Sequence, residues 1–321
     1  MDFLKRYVEQ VQTTLETMRR RCIGIYDGVI RLGKYGAYLA DRTREMAEPI
    51  AYDVKEAVRA IEIKINPGTQ GVHQRYTKMK KLLTMINAKV SAALQDMSPL
   101  QANEMDTRNS LLEQYLGCSV LSIGLSAGEI SGAFLLGAIY ERIFDWWWEL
   151  ALVFMLPYYI YLTFRKNGAL DEMERRVNLF GLALCIGSFM GHLLGNRLIT
   201  AMPAVIFIQP LVIGLAVDTE LSPPSVYSDR TRLLGFSAGV GVALALLFVM
   251  LHGLTLCSVS TILLQAALLV VHFQIVVYCI HNKVYGAGEA QLCYVIATLL
   301  LHVIVGGLLG TNTVAGHSES A

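Results

Sequence analysis

Two apolar stretches near the C-terminal end, residues 255–280 and 290–310, are joined only by the short polar loop 281–289. Each is long enough to cross a hydrocarbon core, which takes about 20 residues of helix. A chain carrying such a pair is confined to folds that satisfy the backbone inside the bilayer, and for apolar runs of this length that means helices. Each stretch also holds one histidine, His272 and His302. Ser258, Gln265, His272 and Cys279 recur every seven residues along the first, and Tyr294, Thr298, His302 and Gly306 every four along the second. Both spacings keep the polar groups on one helical face. Such a face turns toward protein or a water-filled cavity, not lipid. Each histidine alone is satisfied by a backbone carbonyl as readily as by a function. Two of them, on consecutive helices and on polar stripes, point equally to a functional pair.

Five further stretches have the same character, at 115–140, 146–164, 178–195, 199–217 and 233–252. Pro157 is expected to kink the second, and the fourth carries Pro203 and Pro210. The expected architecture is therefore an all-α membrane protein, a seven-transmembrane-helix bundle. The 54% hydrophobic content and mean hydropathy of +0.46 fit that class. Loop charge orients the bundle. With the N-terminus on one side, the loops on that side carry Arg165, Lys166, Arg175, Arg176, Arg230, Arg232 and Lys283, and the opposite loops only Arg142 and Arg197. Seven against two predicts a cytoplasmic N-terminus and a C-terminus on the lumenal or outer side. The run Trp146-Trp147-Trp148 falls at the non-cytoplasmic end of the second span, where indoles favour the interface.

The first third is different in kind. Residues 1–114 carry 18 Lys and Arg against 14 Asp and Glu, and residues 115–321 carry 9 against 12. The division predicts a cytoplasmic helical region, 1–114, ahead of the membrane domain, 115–321. Leu4, Val8, Val11, Leu15, Met18 and Cys22 open a heptad seam that runs on to Leu39. A second seam runs from Met79 to Met97, with a shorter stripe between, so an intramolecular coiled-coil-like bundle is expected. The basic clusters Arg19-Arg20-Arg21 and Lys78, Lys80, Lys81 read as solvated faces that can touch anionic lipid. No nucleic-acid motif is present. The start lacks an apolar signal core, so the first span is expected to act as the insertion signal. The six cysteines form no C-x-x-C pair, which suggests neither a disulfide framework nor a zinc ribbon.

Glycines at 124, 128 and 132, at 187, 191 and 195, and at 235 and 239 predict ridges where helix backbones approach closely. Glu129 lies within the first ridge, as a pathway-lining residue or as a buried, protonated acid. His192, His252, His272 and His302 all lie in spans, which raises an intramembrane metal-dependent hydrolase as a remote alternative. Such enzymes show His-x-x-x-His on one helix, and the chain has none.

From Tyr115 onward the chain resembles the Bax inhibitor family, also called the transmembrane Bax inhibitor motif family, as a divergent member. The likeness rests on the seven spans, a cytoplasmic N-terminus, the glycine-rich third span and the closing pair of helices. The run 178–187 (NLFGLALCIG) is similar to the family's third-span entry. The run 271–277 (VHFQIVV) is similar to the sixth-span motif, in which an Asp precedes Thr-Gln, and 299–302 (LLLH) falls where the last helix carries a second Asp. The resemblance implies a non-enzymatic endoplasmic reticulum protein, an ion-leak pathway or a regulator of apoptosis and calcium homeostasis. It further implies the lipid bilayer and cell-death regulatory membrane proteins as partners, and no cofactor. The family's two aspartates form a proton-sharing pair that gates a calcium leak. Histidine stands at both positions here, and Gly191 is followed by His192 where the family has Pro. Imidazole is a poor calcium ligand and titrates near neutrality. The expectation is therefore a pore or pH-sensing pair, His272 with His302, facing each other across the last two helices. Gln265, Thr298, Glu129 and His192 are expected to line the pathway. A non-conducting scaffold acting through the N-terminal helices is the alternative.

Overall fold

The computed structural model describes residues 87–96, 105–166, 171–201, 203–218, 221–223 and 229–310, together with isolated positions between 9 and 20, at 80, 81 and 84, and at 226. It divides into two compact units, one of Met1–Thr14 with Ala93–Ala321 and one of Leu15–Ala92. The second unit is helical wherever it is described. Most of the two heptad seams lies outside the described residues.

Every regular element described in the first unit is helical: α1 (Met105–Phe134), α2 (Gly137–Ile143), α3 (Trp146–Lys166), α4 (Glu172–Leu194), α5 (Asn196–Ile199), α6 (Ile208–Val217), α7 (Arg230–Met250), α8 (Leu256–His281) and α9 (Ala287–Leu309), with a 3-10 turn at Pro203–Val205. Among the described residues, seven segments are long and apolar enough to cross a membrane, which makes the chain an all-α membrane bundle.

Two spans depart from the sequence reading. The first begins at Met105 and ends at Phe134, so the boundary expected at 114/115 falls inside α1. The chain then turns, with the amides of Leu135 and Leu136 both on the Ser131 carbonyl, and continues as the separate helix α2. The fourth span is not one helix. It is α5, the 3-10 turn and α6, broken where Pro203 lacks an amide hydrogen and cannot continue the ladder. Freed carbonyls at membrane depth need donors. Ser126 Oγ on α1 donates to the Pro203 carbonyl at 2.5 Å, and Ser119 Oγ donates to that of Phe207 at 3.1 Å.

Helix α1 is the axis of the bundle. It packs on α4, α6, α8 and α9. Its contact with α4 is the expected glycine ridge: a Cβ on Gly128 would meet the Leu184 carbonyl, on Gly132 the Ser188 carbonyl, and on Gly191 the Glu129 carbonyl. The ridge of α7 behaves otherwise. Gly235 and Gly239 have no described neighbour in reach, so they line no helix contact there. Helix α3 is peripheral, with only Glu149, Val153 and Pro157 buried, and Trp146, Trp147 and Trp148 stand exposed at its start.

The ends of the bundle are chemically distinct. At the basic end Gly288 of α9 lies against Arg175 of α4 and Phe164 of α3. At the tryptophan end Gly306 of α9 lies against the backbone of Arg197, and the His192 ring lies beside Gly137.

Candidate functional site: a polar stripe through the bundle

The buried face of α1 carries Tyr115, Ser119, Ser122, Ser126 and Glu129. Steps of four and three keep them on one side of the helix, so they form a stripe about 21 Å long at 1.5 Å per residue. The stripes anticipated on α8 and α9 meet it. Gln265, His272, Tyr294, Thr298 and His302 are all buried.

At the basic end, Tyr115 Oη lies 3.1 Å from His272 Nδ1, and His272 Nε2 lies 3.1 Å from the Ala290 carbonyl. A carbonyl only accepts, so Nε2 carries the proton and Nδ1 accepts from the Tyr115 hydroxyl. The Tyr285 hydroxyl, in the α8–α9 loop, is 2.8 Å from the Gln114 side-chain amide. Burial raises the Tyr285 phenol above its ordinary pKa. Gln114 and Tyr285 line a cavity of about 140 Å³ with Glu113, Glu172, Arg175 and Arg176.

One to two turns deeper, the Gln265 amide donates to Tyr294 Oη at 2.9 Å and to Thr298 Oγ1 at 3.1 Å, and Ser122 reaches the same tyrosine. Toward the tryptophan end, His302 Nδ1 lies 3.1 and 3.2 Å from the two carboxylate oxygens of Glu129. Both side chains are fully buried. The His302 Nε2, Gln265 Oε1 and Gln209 Oε1 atoms are buried with no hydrogen-bond partner among the described residues.

This geometry corrects the expected histidine pair. Three contacts fix the register of α8 on α9: His272 with Ala290, Gln265 with Thr298, and Cys257 Sγ with the Val305 carbonyl at 3.9 Å. In that register His302 lies beside residues 260 and 261, some 11 residues from His272, or roughly 16 Å along the helix. The two imidazoles share no site. The partner of His302 is Glu129, which the sequence offered as a pathway-lining residue or a buried acid, and the partners of His272 are Tyr115 and the Ala290 carbonyl.

His192 is not on the stripe. Its Nδ1 lies 2.8 Å from Oε2 of Glu149, the only buried carboxylate of α3 among the described residues, and Oε1 of that glutamate has no partner there. Tyr140 of α2 covers the ring edge-on at 5.6 Å and shares a 2.8 Å hydrogen bond with Ser188 Oγ. Burial raises the Tyr140 phenol, opposed by that bond to Ser188. Glu149 escaped the sequence reading because it sits one turn inside a span that begins with three tryptophans. Tyr115 and Ser122 escaped it too, although the four–three polar spacing through an apolar run was there to be read. Ser258 caps α8 with Thr255, and His252 bonds the Phe248 carbonyl at an exposed helix end.

Among the described residues, no three His, Cys, Asp or Glu side chains are grouped closely enough to hold a metal ion. No family profile, no curated protein and no solved structure matches the chain.

Proposed function

We propose that the protein is a non-enzymatic, proton-linked ion pathway of the Bax inhibitor type, with the stripe of α1 and its partners on α8 and α9 as the conducting element. The observation that carries this reading is the Glu129–His302 pair, a carboxylate and an imidazole in contact at zero exposure inside a membrane bundle. Intramembrane ionisable residues are costly and mark ion paths and proton relays. A proton passing between Nδ1 and the carboxylate leaves the net charge of the pair unchanged, and any charges it creates are opposite and in contact, where they stabilise each other in low dielectric. The hydroxyls of Ser122, Thr298 and Tyr294 and the His272 imidazole continue the line toward the basic cavity, each able to donate and accept. Buried polar atoms lacking a partner among the described residues, such as His302 Nε2 and Gln265 Oε1, are places where internal water binds.

A calcium path would need six to eight hard oxygen ligands. The stripe offers one carboxylate, already engaged by an imidazole, so protons suit it better. The loop charges favour a cytoplasmic basic end and a C-terminus on the opposite side, and the resemblance to the family favours the endoplasmic reticulum as the membrane. The test is reconstitution of the full chain in liposomes carrying an internal pH dye. A potassium-diffusion potential should drive proton flux, and Glu129→Gln and His302→Leu should each lower it at least about tenfold, one proton-transfer step being worth 10²–10⁴ in rate where it is required. Folded variants that conduct like the unaltered protein, or an unaltered protein that passes calcium and no protons, would overturn the proposal.

A further inference from the structure

On the outside of the bundle, away from the stripe, α3 and α9 diverge and leave a groove of about 480 Å³. Pro157, Tyr158, Tyr161, Leu292, Ile296 and Leu300 line it with Cys293 and Ala297, and Glu289 stands at one end. It lies at hydrocarbon depth on the helix with the least protein cover of the seven. From Glu289 to Leu300 the groove follows α9 for 11 residues, or about 16 Å. That is close to half of a hydrocarbon core about 30 Å thick, the depth of one leaflet.

The mouth of the groove is at the basic end and is charged. Arg165 and Lys166 end α3 and are exposed, and Arg165 Nη1 donates to the Tyr161 hydroxyl at 3.2 Å. Arg175 and Arg176 belong to the separate cavity at Gln114, with Glu113 and Glu172. Two cations against the single carboxylate of Glu289 leave the mouth net positive by one.

We propose that this groove binds one anionic phospholipid of the basic-end leaflet, an acyl chain lying between α3 and α9 and its phosphate against Arg165 and Lys166. The apolar lining fixes the chain and the one-leaflet length fixes the class of ligand. The positive mouth selects the anionic headgroup over a zwitterionic one, since basic side chains at a membrane surface attract anionic lipid. This site is independent of the proton pathway, because its residues face away from the polar stripe.

The experiment uses the full chain in bilayers of equal phosphatidylcholine and phosphatidylserine, extracted in mild detergent, with the retained lipid read by native mass spectrometry. The expected result is one phosphatidylserine per chain, enriched roughly fivefold over phosphatidylcholine, the order supplied by one net favourable charge. Ala297→Phe, which fills the groove, should lower retention about as much. Arg165→Gln with Lys166→Gln, both exposed and tolerated by the fold, should keep a lipid bound but bring the two headgroups near parity. No retained lipid, equal retention of both lipids by the unaltered protein, or undiminished phosphatidylserine preference in the charge variant would overturn the proposal.

Discussion

Replacing either His302 or Glu129 with leucine should cost more stability than replacing both. The two side chains are in contact at 3.1 Å with no exposure to solvent. His302→Leu leaves the Glu129 carboxyl without the imidazole at its two oxygens, and Glu129→Leu leaves His302 Nδ1 without the carboxyl it meets. Breaking a buried pair of ionisable groups by removing one member costs about 3–5 kcal/mol, because the other stays in the low-dielectric interior.

The double leucine variant should be close to the unaltered protein, because an apolar pair of similar volume replaces the ionisable one. Reversible unfolding in mixed micelles at neutral pH measures all four proteins. Single costs that add in the double variant to within about 0.5 kcal/mol would refute the coupling.

Two other outcomes test the packing. Ser126→Ala removes the donor to the Pro203 carbonyl and should destabilise by about 1–3 kcal/mol, the cost of a buried carbonyl left unsatisfied, measured by thermal unfolding in detergent. Gly191→Ala drives a methyl into the Glu129 backbone and should cost about 1–3 kcal/mol or more, whereas Gly239→Ala has open space and should be neutral or stabilise by up to about 1 kcal/mol; equal effects in the same unfolding assay would contradict the α1–α4 ridge.

The seven spans were legible because hydropathy over about 20 residues is a property of single segments. So were the polar faces of α8 and α9, since a helix fixes which residues share a side. What these faces meet is set by the axial offset between helices, and no local pattern carries that. Counting inward from the loop gives His272 and His302 nearly equal depths. The contacts instead place Ala290, only three residues into α9, opposite a histidine nine residues from the end of α8, an offset of about 9 Å. That offset takes His302 away from His272 and up to Glu129. The break in the fourth span had a local sign in Pro203, but the hydropathy continues through it, and the donors that make it tolerable come from a helix some eighty residues earlier.

Those donors explain why α1 is polar along a face that apolar packing alone would have filled with leucine. Ser119 and Ser126, seven residues apart, serve the broken backbone at Phe207 and Pro203. Ser122 and Glu129, also seven apart, serve Tyr294 and His302 of α9. Alternate positions of one stripe thus satisfy two different neighbours, one needing donors for freed carbonyls and the other needing partners for a phenol and an imidazole. Ser126 lies one turn from Glu129, so the discontinuous span and the buried Glu129–His302 contact are held by adjacent turns of the same helix. A shift of the Pro203–Val205 turn that frees its carbonyl leaves the Ser126 hydroxyl without its acceptor on that span, next to the carboxyl that His302 contacts. Among the described residues the broken backbone of the fourth span and the fully buried ionisable pair are therefore mechanically adjacent, which is where a gate on the proposed proton path would have the shortest lever.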